Sequence, residues 1–250
     1  MIASMRLTRR QSWQAVAGLA AQRAMGAAGT RSAVRLVVLD VGGTIIQDRG
    51  DVPEAMIDSC AHHGIHITAE DVAPFRGASK REVVRRFVEA KGPKSGDREK
   101  LADAIYAEFN AQVIDVYRHV PPIEGAEAAF AEMRKAGLLL AASTGFGRAV
   151  ADSIFQRLRW QEYFVTVITG DDVIQGRPAP FMIFHAMEAA KVGNVAEVVA
   201  VGDTPLDLQA ARNGGVRGIG VLSGAGTEEK LRAEKPAAIL KSVASLPQQI

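Results

Sequence analysis

Cysteine is nearly absent from the 250 residues: Cys60 stands alone, so no internal disulfide can form and the fold does not depend on an oxidising compartment. No His and Asn pattern surrounds it of the kind that activates a thiol nucleophile, and it reads as a small core residue. Long apolar runs are missing as well, since no stretch approaches the roughly twenty residues needed to cross a bilayer. Neither sign of charge predominates. A formal net charge of +2 with no basic stripe excludes the electrostatic footprint of a nucleic-acid binder. His62, His63, His66, His119 and His185 show no metal-ligand spacing and read as solvated or packing residues. No internal repeat or low-complexity tract occurs beyond the first 33 residues. What remains, 48% hydrophobic and 23% charged, is a globular chain with enough apolar material for one large domain or two small ones.

Acid is lacking from one place in particular. No Asp or Glu precedes Asp40, whereas Arg6, Arg9, Arg10, Arg23 and Arg31 do, so residues 1–33 are read as a leader outside the fold. Thr8-Arg9-Arg10-Gln11, followed by the Ala/Gly-rich stretch Ala15 to Gly29, resembles a bacterial twin-arginine export signal interrupted by Gln22 and Arg23. An Arg-rich transit peptide or a start codon set too far upstream fits the same composition. The expected location is the cytoplasm, with export through this leader as the alternative.

What is present is organised around Leu36-Val37-Val38-Leu39-Asp40-Val41-Gly42-Gly43-Thr44. The apolar run is continuous and includes β-branched residues, which predicts a short central strand buried on both faces over Leu36 to Leu39. Asp40 then lies at the strand's C-terminal end, the edge of an open parallel sheet where ligands bind, and the glycines behind it allow a tight turn. From Pro53 to Tyr117 the pattern is helical: Glu54 to His63, Lys80 to Ala90 and Arg98 to Tyr117 carry apolar residues at three- and four-residue spacings. After Pro121-Pro122 helix and strand alternate. Helices are expected at Ile123 to Ala136, Phe146 to Leu158, Pro180 to Ala190 and Pro205 to Asn213, and strands at Leu138 to Ser143, Val165 to Thr169, Val198 to Gly202 and Arg217 to Val221. Gly224-Ala225-Gly226 reads as a loop ahead of a helix from Thr227.

Ser143-Thr144-Gly145, then Arg177-Pro178, then Gly202-Asp203-Thr204-Pro205-Leu206-Asp207 follow the Asp40 stretch in order. Together the four stretches resemble the motifs of the haloacid dehalogenase superfamily. The resemblance implies an α/β fold, a Rossmann-like parallel-sheet core at 34–52 and 119–250 with an inserted α-helical cap domain at 53–118. In that frame Asp40 is the nucleophile that forms an aspartyl-phosphate, and Thr144 and Arg177 are catalytic. Gly43, Thr44, Thr144, Gly145 and Arg177 bind phosphate. Asp40, Gly42 through its carbonyl, Asp203 and Asp207 hold Mg²⁺, a choice that an oxygen-only ligand set also favours. The implied partners are a small phosphonate or phosphate ester and, through the cap, a second copy of the chain, with neither nucleic acid nor membrane.

One position departs from the superfamily pattern. Its phosphatases usually carry a second Asp two residues after the nucleophile, where this chain has Gly42, which cannot donate a proton. The phosphonoacetaldehyde hydrolases have a small residue there, an Arg before Pro in the third motif, and a cap Gly-x-x-Lys whose lysine forms a Schiff base. This chain resembles them in Gly42, in Arg177-Pro178, and in Gly77-Ala78-Ser79-Lys80. An iminium on Lys80 would let the carbon fragment leave as a neutral enamine, so no oxyanion needs protonation. Arg76, Arg81, Arg85 and burial are expected to depress the lysine's pKa. Arg76, Val83 and Phe146 stand where those enzymes usually have Met, His and Tyr, and Arg76 suggests a substrate with an additional acidic group. The expected activity is C–P cleavage of a 2-oxo-alkylphosphonate; the alternatives are a monoesterase resembling phosphoglycolate phosphatase and a non-catalytic phospho-ligand binder.

Overall fold

The computed structural model describes residues 33–250, so the leader at 1–33 lies outside the described residues except for its last residue. Six parallel strands form one sheet in the order β3-β2-β1-β4-β5-β6. They are β1 (Leu36–Asp40), β2 (Leu139–Thr144), β3 (Thr166–Thr169), β4 (Val198–Gly202), β5 (Arg217–Val221) and β6 (Ala238–Leu240). The first strand lies inside the sheet because its apolar run tolerates no wet face. Leu36 pairs with Leu139 on one side and with Val198 on the other.

Both faces of β1 are covered, as parallel sheets require. Val37 and Leu39 join a cluster with Phe130 and Met133 of α5 (Ala126–Lys135) and Val150 and Ile154 of α6 (Arg148–Leu158). Leu36 and Val38 cluster with Met182 and Ile183 of α7 (Phe181–Ala189) and with Ala210 and Ala211 of α8 (Pro205–Asn213). The alternation is the two-residue period of a strand.

Between β1 and α5 the chain is helical: α1 (Asp51–His62), α2 (Ala69–Val72) running into a 3₁₀ turn at Ala73–Phe75, α3 (Lys80–Lys91) and α4 (Arg98–Tyr117). Their buried faces, including Met56, Val84, Phe87, Ile105 and Phe109, join the same apolar cluster as Val37 and Leu39, and Val34–Ile250 is one compact unit. Cys60 is fully buried, and burial pushes its thiol up to about 11, as suits an inert core residue. No helix among the described residues is long and apolar enough to cross a membrane.

Several boundaries differ from the sequence reading. Helix α6 begins at Arg148 rather than Phe146, because the Phe146 N–H donates to Thr144 Oγ1 at 3.2 Å and Gly147 is extended. Helix α5 begins at Ala126 rather than Ile123, its cap Gly125 having φ +77°. Helix α1 begins three residues early, at Asp51. The four-residue α2, strand β6, α9's short length (Glu228–Ala233) and the 3₁₀ segment Val243–Gln248 are additions to that reading.

Candidate active site

Three strand ends converge. Asp40 closes β1, Thr144 closes β2, and Asp203 follows β4, with Asp207 in the first turn of α8. The local sequence fixes that last turn: Pro205 sits at the first helical position, and Thr204 and Asp207 form a capping box in which Asp207 Oδ2 accepts from the Thr204 N–H at 3.0 Å and its hydroxyl at 2.6 Å.

Buried Arg177 ties the site together. Its Nη1 lies 2.7 Å from Asp40 Oδ1 and 3.0 Å from Asp207 Oδ1. Its Nη2 donates to the carbonyl and hydroxyl oxygens of Ser143 at 2.9 and 2.8 Å, and Nη1 reaches the Gly77 carbonyl at 3.2 Å. Thr144 Oγ1 accepts only the Phe146 N–H among the described residues, so its own hydrogen is available to a ligand.

Carboxylate oxygens of Asp40, Asp203 and Asp207 lie within 4.8 Å of one another, all buried. Three carboxylates against one guanidinium leave an excess of buried negative charge, and the electrostatics register it. Burial, with Asp207 adding, pushes Asp40 up to about 6 against the pull of Arg177. Burial, then Asp40 and Asp207, lifts Asp203 well above the carboxylate range. An all-oxygen, over-negative buried cluster fits a hard divalent cation.

The remaining sequence-predicted residues fall into two groups. Gly42, Gly145, Lys80 and Arg76 line the same cavity as Asp40, Thr144, Arg177 and Asp203. Gly43 and Thr44 do not line it. The Gly43 N–H donates to Ile46 at 2.7 Å, and the Thr44 hydroxyl donates to Asp203 Oδ1 at 3.3 Å, so both support the loop that carries Asp203. Gly43 has φ +80°, and a Cβ there would meet Asp203 Oδ2 at 2.6 Å.

Lys80 opens α3 with its backbone N–H donating to the Gly145 carbonyl at 2.9 Å and its Nζ to the Ala78 carbonyl at 2.8 Å. Nζ lies 5.6 Å from the Phe146 ring centroid. Burial pulls this amine down to about 8, with Arg177 adding and Asp40, Asp207 and Asp48 opposing. The expected contribution from three neighbouring arginines is therefore corrected. Arg76 pairs with Asp48 at 3.3 Å, Arg81 with Asp103 and Asp171, and Arg85 with Glu99, each neutralised by an acid. The Arg76 pairing also removes most of the surplus charge expected to select an acidic substrate group.

Sequence reasoning missed three contributions. Asp48 lines the cavity and holds Arg76. Tyr117, at the end of α4, lines it too and packs edge-on against Phe146 at 5.4 Å, its phenol pKa raised by burial and by Asp48 and Asp40. The Gly224–Gly226 loop cradles Asp203, whose Oδ2 accepts from the Ala225 N–H at 2.7 Å while a Cβ on Gly224 would stand 2.1 Å from it. The glycine pair flanking one amide was the available signal, a small concave donor.

The family model described as haloacid dehalogenase-like hydrolase matches residues 37–221. A phosphonoacetaldehyde hydrolase from Bacillus cereus (strain AH187) is 30% identical over 203 residues, 76% of each chain. The crystal structure of a phosphonoacetaldehyde hydrolase-like protein from Oleispira antarctica superposes with a TM-score of 0.75 at 21% identity, covering 88% of this chain and 92% of that one. A predicted phosphoglycolate phosphatase from Haemophilus somnus gives 0.72 at 15% identity, over 86% and 97%. At those identities the two structures share the fold.

Proposed function

The chain belongs to the haloacid dehalogenase-like hydrolases, and we propose that within that family it cleaves the C–P bond of a 2-oxo-alkylphosphonate through a Schiff base on Lys80. The observation that carries this reading is the lysine itself: an amine lowered to about 8, in the cavity that also holds the nucleophile Asp40. A lysine at that pKa is partly unprotonated near neutrality and can attack a carbonyl.

Thr144 and Arg177 hold the phosphoryl oxygens, and Arg177, already on Asp40, keeps the carboxylate aligned for attack. Condensation with Lys80 makes an iminium next to the C–P bond. As an Asp40 oxygen bonds to phosphorus, the C–P electron pair moves into the enamine, which departs neutral. The enamine then takes a proton on the carbon that held phosphorus, one water hydrolyses the resulting iminium to free Lys80 and the carbonyl product, and a second water hydrolyses the aspartyl-phosphate. Nothing in this route demands an acid at position 42. Asp40, Asp203 and Asp207 would hold a Mg²⁺, whose charge offsets that of the carboxylates and of the phosphoryl group. The helical segment 53–118 serves as the cap that excludes water.

The deciding experiment offers the protein a panel of oxo-phosphonates and small phosphate esters, with released phosphate as readout, and adds borohydride during turnover. The expected result is phosphate from an oxo-phosphonate and a reduced adduct that peptide mass spectrometry places on Lys80. Turnover of esters alone, without an adduct, moves the assignment to a monoesterase.

A further inference from the structure

We infer that Tyr117 is a catalytic residue that holds the substrate's carbonyl oxygen while Lys80 attacks the carbonyl carbon; this rests on the imine reading above. Gly42 faces the Tyr117 hydroxyl. Unlike Gly43, it has no positive φ, and a Cβ built on it would make only ordinary contacts, 3.6 Å to Tyr117 Oη and 3.7 Å to Phe146 Cε2. Neither the backbone nor crowding requires glycine there. The effect of glycine is to leave space in front of the Tyr117 hydroxyl.

Among the described lining residues, that hydroxyl and the Thr144 hydroxyl are side-chain donors without an acceptor. Among the other lining side chains, Arg177 is held by Asp40 and Asp207, Arg76 by Asp48, and the Thr204 hydroxyl by Asp207. Thr144 stands at the phosphoryl end beside Asp40, and Lys80 is the nucleophile. Tyr117 Oη makes no hydrogen bond to another described residue. Its ring meets Phe146 at 5.4 Å, and Lys80 Nζ stands 5.6 Å from the same ring, so amine and phenol approach a common wall.

Imine formation needs a donor at this position. The amine nitrogen bonds to the carbonyl carbon, the π pair moves onto oxygen, and that oxygen takes two protons before it departs as water. Overall one ammonium and one carbonyl give one iminium and one water, both water protons having started on the Lys80 nitrogen. Tyr117 binds the oxygen and relays protons from nitrogen to it, ending as it began.

The test traps the imine without any C–P chemistry, using acetaldehyde and borohydride with adduct on Lys80 quantified by mass spectrometry; phosphonoacetaldehyde is a second probe. Tyr117→Phe is expected to slow trapping by about tenfold or more, with an unchanged melting temperature and unchanged affinity for inorganic phosphate, which a merely structural role would not separate. Gly42→Ala, which puts a methyl in front of Oη, is expected to slow trapping too. Wild-type trapping by Tyr117→Phe overturns the inference while the imine reading stands, and if that variant fails to fold, wild-type trapping by Gly42→Ala overturns it. Absence of any adduct in the wild type overturns the imine reading and this inference with it.

Discussion

The backbone N–H of Lys80 donates to the carbonyl of Gly145 at 2.9 Å, and a Cβ at position 145 would stand 2.2 Å from the Ala78 carbonyl oxygen. The lysine turn and the loop after β2 thus meet main chain to main chain, with no side chain between them to adjust. Gly77 makes a similarly close approach to the side chain of the residue that caps α8: its φ is +84°, and a Cβ there would meet Thr204 Oγ1 at 2.5 Å.

Gly145→Ala should therefore displace the turn that carries Lys80. A shift on the order of 1 Å at a reacting group costs roughly a hundredfold in rate. The expected outcome is a loss of that size in phosphate release, with circular dichroism still native. A wild-type rate would show that the contact does not position the lysine.

Asp40→Asn should lower turnover by a factor on the order of 10³ or more, because the amide cannot attack phosphorus. The fold should survive, since burial already penalises the carboxylate, whose pKa is pushed up to about 6. The sign follows from the direction of the shift. Folded Asp40 binds its proton more readily than the unfolded residue, so in metal-free protein its contribution makes stability fall as pH rises from about 4 to about 6. Asparagine removes that contribution, and denaturant titrations of both proteins across this range measure it.

On the proposed route Lys80 attacks as the free amine, so borohydride trapping should increase with pH and reach half its plateau near about 8. Lys80→Arg should give no adduct and no oxo-phosphonate turnover, because guanidinium stays protonated. Rates of adduct formation measured from pH 6 to pH 10 test the profile. A profile that is flat across that range contradicts the lowered amine.

Asp203→Ala should abolish both activity and its dependence on Mg²⁺, and chelator should silence the wild type. It also strands the Ala225 N–H and the Thr44 hydroxyl, a cost of about 1–3 kcal/mol for each buried group left without an acceptor. Asp203→Asn, which keeps an acceptor oxygen, separates the lost charge from the lost hydrogen bonds. Full activity in chelator would contradict the cation assignment.

The sheet was legible where local chemistry is abrupt. Val198–Gly202, Pro205–Asn213 and Arg217–Val221 match the sequence reading residue for residue, and Thr204, Pro205 and Gly214 show why, as cap, first helical residue and helix stop. Arg98–Tyr117 also matches, through Asp97 capping the Lys100 N–H. Asp40, Thr144, Asp203 and Lys80 stood out as candidates because each sits at a strand end or helix start marked by glycine, and Arg177 because Pro178 follows it in the loop ahead of α7. Four-residue α2 and three-residue β6 are too short to show a period. The meeting of Tyr117 with Gly42, the pairing of Arg81 with Asp171 and the cradle around Asp203 are set by tertiary packing between distant segments, which single-chain periodicity does not encode.

The central place of β1 bears on how the protein is made. Both hydrogen-bonding partners of Leu36 to Leu39 come far later in the chain, β2 at Leu139–Thr144 and β4 at Val198–Gly202. During synthesis this fully buried strand therefore leaves the ribosome well before its partners and waits unpaired while the helices at 51–117 are translated. Asp40 is translated early, yet the pocket around it closes only after β4 arrives. Nascent chains stalled before Val198 should bind chaperones through Leu36 to Leu39, and those stalled beyond Val221 should release them.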